Sequence, residues 1–153
     1  MSAHAARTAS TAPRPTARCL VVGYDGRPAA QAATCWAARQ LGEQGRLVVV
    51  QASRPLHAPA ATLGTTQQRR RMAGARLNEL LLEAPAELLD CELESEVSDR
   101  EPVGALIEAA ERHGAEAIVL GAQPHSTLQR AIGSVTTELL ARSPVPVTVV
   151  PAR

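Results

Sequence analysis

The chain has 153 residues and a formal charge of +1 at pH 7, enough for one domain with a real core and too little for two. An apolar fraction of 45% and a charged fraction of 20% are ordinary for a globular protein. Near-neutrality supplies no field to gather nucleic acid or anionic lipid. One Tyr (Tyr24), one Trp (Trp36) and no Phe leave no aromatic platform for single-stranded bases. No apolar run approaches a membrane span, so neither nucleic acid nor membrane is an expected partner. Cys19, Cys35 and Cys91 stand far apart without a CxxC, against a disulfide framework or a zinc site. They read as small buried hydrophobes in a reducing, cytoplasmic compartment.

Residues 1–17, "MSAHAARTASTAPRPTA", carry Arg and no acid, which is also the composition of an organellar transit peptide. With no apolar stretch beyond Ala, the segment predicts a disordered N-terminal tail ahead of a domain spanning 18–153. "CLVVGY" is a continuous apolar run ending near a glycine, as in a strand buried on both faces. "DGRPAAQAATCWAARQLGEQG" follows as a helix, with Pro28 in the first turn and Ala29, Ala32, Ala33, Trp36 and Ala37 on one face. Gly42 or Gly45 ends it. "RLVVVQA" is a second buried strand, closing at Ala52. Residues 53–66 form a long connection without periodicity, of the kind that serves as a functional lid.

A helix from Gln67 to Ala84 comes next, with Ala73, Leu77, Leu80, Leu81 and Ala84 inward, and Pro85 stops it. In "ELLDCELESEV", Leu89, Cys91, Leu93, Ser95 and Val97 alternate with acids, predicting a half-exposed strand at a sheet edge. Glu92, Glu94 and Glu96 read as its solvated face. Pro102 opens a helix with Val103, Leu106, Ile107 and Ala110 at helical spacing, and Gly114 stops it. His113 near its end complements the dipole. "AEAIVL" is a buried strand. A helix from Ser134 to Arg142 turns Val135, Leu139 and Leu140 inward. "VPVTVV" closes the chain at an edge, because Pro146 cannot donate to a ladder.

Strict alternation of strand and helix implies an α/β fold, an open parallel sheet with helices on both faces. Ligands of such sheets bind beyond the C-terminal strand ends, where strand order reverses. Two strand ends carry suitable chemistry: "GYDG" after the first strand and "GAQPHS" after the fourth. Asp25 either faces a ligand or closes an Asp-Gly turn before the helix. Gly133 and Ser134 open a helix whose N-terminus carries about half a positive charge and free N–H groups. They serve either a phosphate or a plain turn and cap. Pro124 removes one N–H from the intervening loop, while His125, Ser126, Thr127, Gln129 and Arg130 offer side chains in its place. Arg69–Arg71 read as exposed first turns of the second helix, and His57 has no visible partner. No nucleophile elbow, metal-ligand cluster or carboxylate pair marks a strand end, so catalysis is not expected.

Three stretches, "VVGYDGRPAAQAATCWAARQL", "REPVGALIEAAERHGAEAIVLGA" and "LQRAIGSVTTELLARSPVPVTVV", resemble the universal stress protein family in residues, order and spacing. The resemblance implies a five-stranded parallel sheet of order 3-2-1-4-5 and a homodimer joined through the last strand, Val145–Val150. It implies a regulatory stress-response role and an adenine nucleotide, ATP with a possible Mg²⁺. By the same resemblance Gly23, Tyr24 and Ala52 line the adenine pocket and Asp25 lies against the nucleotide. Gly121 and the Gly133-Ser134-Val135 helix start form the two ends of a Gly-x2-Gly-x9-Gly-Ser phosphate loop, with His125 and Arg130 as further contacts. Two departures stand in that loop. Pro124 replaces the middle glycine, and eight residues rather than nine separate it from Gly133. A second branch of the family lacks the loop and implies instead a dimeric protein-interaction module without nucleotide.

Overall fold

The structure, a computed structural model, describes residues 18–54, 64–83, 86–122 and 133–152. The tail 1–17, His57, Ala84, Pro85 and the loop residues Pro124, His125, Ser126, Thr127, Gln129 and Arg130 lie outside the described residues. Five strands, β1 (Cys19–Gly23), β2 (Arg46–Ala52), β3 (Glu92–Ser98), β4 (Ala117–Ala122) and β5 (Val147–Pro151), form one sheet of order β3-β2-β1-β4-β5. Every pairing is parallel. Five helices connect the strands: α1 (Pro28–Leu41), α2 (Thr66–Leu82), the single turn α3 (Ala86–Leu89), α4 (Pro102–His113) and α5 (Ser134–Arg142).

Alternation along the strands builds two cores. Leu20, Val22, Leu47 and Val49 face α1, α2 and α3, packing on Ala33, Ala37, Leu77, Leu80 and Leu88. Val21, Val48, Val50, Ile118 and Leu120 face α4 and α5, packing on Val103, Leu106, Ala109, Ala110 and Leu139. The small alanine face of α1 lets that helix lie close to the sheet. Cys19 and Cys91 sit in these cores, and burial pushes both thiols up in pKa, against the pull of Arg46 at Cys19. Helix ends follow local chemistry. Pro28 and Pro102 occupy first-turn positions, where no donor is lost. Gly114 stops α4 in the left-handed region, φ 61°. A reciprocal capping box of Thr65 and Gln68 starts α2.

Several expectations are corrected. The run at 86–89 is a helical turn, so β3 begins at Glu92 rather than within "ELLD". Leu81 and Leu140 point outward, 41% and 55% exposed. Each follows a buried residue, Leu80 or Leu139, and the next side chain along a helix lies about 100° round. The inward position on α5 goes to Thr136. Ser143 takes the Val145 backbone, its Oγ accepting from the N–H at 3.2 Å and donating to the carbonyl at 2.6 Å, so β5 starts at Val147.

Glu94 and Glu96 do not form a solvated face. They lie opposite Val48 and Val50 and so face α4. Glu96 pairs with Arg112 and, at 3.2 Å, with His113 Nε2. Glu94 lies 3.5 Å from Arg46 and 3.6 Å from His113 Nδ1. His113 thus ends α4, as expected, but its ring bridges two carboxylates of β3. Arg46 donates to the His113 carbonyl at 2.8 Å. The edge strand is held by charge where its apolar face is narrow.

One glycine is fixed by packing. A Cβ on Gly121 would overlap the backbone carbonyl of Ala29 and stand 2.8 Å from the Ala30 nitrogen. The first turn of α1 therefore rests backbone-on-backbone against β4. Gly121→Ala should destabilise the fold by about 2–3 kcal/mol, the cost of overpacking a contact that cannot relax through a side chain. Urea denaturation of the two proteins measures it. Gly133→Ala, where a Cβ would meet nothing within 4 Å, should cost less, under about 1 kcal/mol, because alanine is a poorer residue than glycine at a helix N-cap.

Candidate functional site

Strand order reverses at β1. From it the chain runs out to β2 and β3, then returns to β4 and β5 on the other side. A cleft of about 170 Å³ opens there, at the C-terminal strand ends. Gly23, Tyr24, Asp25, Ala30, Val50, Ala52, Pro102, Leu106, Gly121 and Val135 line it. Six of the residues singled out from the sequence meet in this cleft: Gly23, Tyr24, Asp25, Ala52, Gly121 and Val135. Gly133 and Ser134 immediately precede Val135 on the same helix start. His125 and Arg130 lie outside the described residues.

Gly23 keeps the floor low. A Cβ there would stand 2.8 Å from Leu120 Cδ2 and 3.3 Å from Leu106 Cδ1. Tyr24 divides its roles. Its N–H donates to Val50 O at 2.9 Å, continuing the sheet, and its ring enters the core beneath α2 with Leu77 and Leu80. Asp25 closes the turn into α1, its Oδ1 accepting from the Arg27 N–H at 2.9 Å, with Gly26 at φ +84° beside it. Its Oδ2 is 3.8 Å from Arg27 Nε, and the side chain is 58% exposed. Asp25 thus performs the turn and also contributes the only carboxylate of the cleft lining among the described residues.

Three helices start around the cleft, and none has a side-chain cap. Arg27, Glu101 and Gly133 are the N-cap residues of α1, α4 and α5, each extended in backbone and each without a capping hydrogen bond. Ser134, expected as a possible cap, is instead the first residue inside α5. Gly133 is the cap, at φ −69° and ψ 166°, and its carbonyl accepts from the Thr137 N–H at 3.0 Å and from Thr137 Oγ1 at 3.1 Å. By contrast, α2 starts away from the cleft lining and is fully capped. The walls are apolar, formed by Val50, Leu106, Val135 and the two alanines. The arrangement suits a flat, weakly polar group between aliphatic walls, with an anion at the helix starts.

Sequence reasoning missed Ala30, Val50, Pro102 and Leu106. A signal for Pro102 and Leu106 was available. A helix that follows a parallel strand begins at the C-terminal end of the sheet, so its first turn faces any ligand there. Among the described residues no group of three or more His, Cys, Asp or Glu is placed to hold a metal ion, and no helix is long and apolar enough to cross a membrane.

The model of the universal stress protein family matches residues 17–151. No curated protein matches the chain. Among solved structures, universal stress protein UspA from Lactobacillus plantarum has a TM-score of 0.67 at 23% identity, covering 90% of this chain and 99% of its own. A universal stress protein in complex with cAMP has a TM-score of 0.51 at 24% identity, covering 89% and 98%. A universal stress protein family protein from Arabidopsis thaliana with AMP bound has a TM-score of 0.57 at 15% identity, covering 89% and 92%. At these identities the structural likeness establishes the fold.

Burial pushes the Tyr24 phenol above its ordinary pKa, with Asp25, Glu79 and Glu83 adding in the same direction. The folded protein therefore keeps the proton after the unfolded chain has lost it. Tyr24 should contribute stability that is intact below pH about 10 and declines as pH rises beyond it. Tyr24 is the single tyrosine, so phenolate absorbance under native and denaturing conditions reads both titrations directly. The native curve should lie to the alkaline side.

Proposed function

The chain belongs to the universal stress protein family, and from that premise we propose that it is a homodimeric, cytoplasmic stress-response protein that binds an adenine nucleotide, ATP in the family reading, in the cleft at the end of β1. The role is regulatory, and any hydrolysis is slow and incidental. Occupancy of the cleft changes the surface presented to a protein partner.

One observation carries this reading. The three long helices whose first turns line the cleft have no side-chain cap, while α2, the long helix that starts away from the lining, has a capping box. A missing cap forgoes about 1 kcal/mol, and three dipoles of roughly half a charge each favour an anion between them. In this reading the adenine lies between Val50, Ala52, Leu106 and Val135, against the backbone of Gly23 and Tyr24. The phosphates would lie at the Gly133 and Ser134 amides, and the resemblance adds His125 and Arg130, which lie outside the described residues, as further contacts. Asp25 supplies one protein oxygen to a phosphate-bound Mg²⁺, an ion that commonly takes one or two carboxylates and draws its other ligands from phosphate and water. The AMP and cAMP complexes among the structural neighbours support an adenine nucleotide as the ligand class. The regulatory role is the one that the family resemblance implies.

Isothermal titration of the full chain with AMP, ADP and ATP, with and without Mg²⁺, tests the proposal. Saturable heat at micromolar to sub-millimolar ligand supports it. Silence toward all of them, with an intact fold, leaves the dimeric interaction module that the family's second branch implies. A sharper variant is Gly133→Asp. A carboxylate at that cap position would accept from first-turn N–H groups of α5. It should raise stability by a few tenths of a kcal/mol and weaken nucleotide binding by tenfold or more, because it occupies the phosphate's place. Thermal melts and titration on the same sample separate the two effects.

A further inference from the structure

Resting on the nucleotide reading above, we infer that Arg76 of α2 is the cation that receives the ligand's phosphate nearest the nucleoside. It selects a charged adenine ligand over a neutral one. Its seat on the turn formed by Asp25 and Gly26, at the edge of the cleft, identifies it.

Gly26 takes φ +84°, a region that favours glycine, and Arg76 fills the space a side chain there would occupy. A Cβ on Gly26 would stand 3.2 Å from Arg76 Cδ, 3.6 Å from Cγ and 3.8 Å from Nε. The stem of Arg76 thus lies across the turn, and its guanidinium begins beside it. Buried Ala73 and Leu77 hold α2 against the sheet on either side of this position. A long side chain already laid on backbone loses less freedom when it meets a ligand.

Charge gives this placement its consequence. Among the described residues, the cleft lining carries one charged side chain, the carboxylate of Asp25. A phosphate brought beside it is repelled unless a cation stands near. Arg27 is already directed at Asp25, its Nε 3.8 Å from Oδ2. Arg70, also on α2, pairs with Asp99 at 2.6 Å. Arg76 makes no ion pair or hydrogen bond among the described residues, although Glu79 stands one turn along the same helix. Its planar fork of donors, suited to a phosphate, is therefore unengaged at the turn. The aliphatic walls meet the adenine of any such ligand, whereas a cation on the turn registers whether a phosphate follows the sugar.

Isothermal titration of the full chain with AMP and with adenosine tests the assignment, because the two differ by one phosphate. Arg76→Met keeps a stem to lie on Gly26 and removes the charge, and Arg76→Gln is a second charge-free variant. Arg76→Lys restores the charge. Arg71→Met removes an equal charge from an exposed position of the same helix. Both charge-free variants should weaken AMP by about fivefold or more and leave adenosine within about twofold. Arg76→Lys should recover most of the loss, and Arg71→Met should match the wild type. Added salt should narrow the AMP difference between wild type and Arg76→Met. Thermal melts check that the compared proteins are folded. Unchanged AMP affinity in the charge-free variants overturns the assignment and leaves the nucleotide reading standing. So does an equal loss for AMP and adenosine, which makes Arg76 a support for the turn. A wild type that binds adenosine as tightly as AMP, or ATP but not AMP, also overturns the assignment alone. A wild type that binds no adenine nucleotide overturns the reading and the assignment together.

Discussion

The contact on which the rest of the molecule depends is the approach of the first turn of α1 to β4 at Gly121. There a helix backbone lies directly on a strand backbone, with no side chain between them. That contact fixes the height of α1 above the sheet and so the path of the four residues Tyr24 to Arg27 that lead into it. Tyr24 then has its amide on Val50 and its ring under α2, and Asp25 bonds the Arg27 amide to close the turn. The cleft is what remains between this turn and the starts of α4 and α5. Gly121 was singled out from the sequence as one end of a phosphate loop. Its missing side chain has a sufficient cause in packing alone. Gly133, at the other end, differs: neither its φ nor its surroundings demand glycine.

The helix starts divide along the same line. Where a helix begins away from the cleft, the chain invests in Thr65 and Gln68, each satisfying an orphan donor of the other's backbone. Where helices begin at the cleft, Arg27, Glu101 and Gly133 stand at the cap positions, and none makes a capping hydrogen bond. Departures from local rules concentrate at functional sites because a ligand supplies what the chain withholds. The cost of each absent cap is small against the total stability of a domain this size, so such a site is compatible with a well-formed fold. The same logic explains why Asp25 can both close a turn and face the cleft. One oxygen satisfies the backbone while the other stays near solvent, loosely held by Arg27 at 3.8 Å.

The two edges of the sheet are handled by different means. β3 has a partly exposed face, and its acids are drawn down onto α4 through Arg46, Arg112 and His113. This sits at the far edge of the sheet from the Gly121 contact and anchors β3 onto α4. β5 instead keeps its outward backbone groups and limits them by position, with Ser143 at one end and Pro151 at the other. A charged edge repels its own copy.

Much of this was legible in the residues. Apolar runs against helical spacing located every strand and every long helix among the described residues, and the alternating segment read from Leu89 to Val97 and Pro146 marked the two edges. The α/β class followed from the alternation alone. Both the order 3-2-1-4-5 and the assignment of Asp25, Ala52 and Gly121 to one cleft came from resemblance. Periodicity, however, reports only the mean direction of a stripe. It could not tell Leu80 from Leu81 or Leu139 from Leu140, since neighbours on a helix differ by a rotation that only the packed partner resolves. Nor could local sequence show that Glu94, Glu96 and His113 meet, because they lie on separate elements joined by the turn of the chain. By itself, then, the sequence determined which segments are strands and helices and where the polar strand ends fall, because those depend on short-range spacing. Tertiary structure alone decided which glycine serves packing and which stands open, and which helix starts share a cleft, because these depend on distances between backbones remote along the chain.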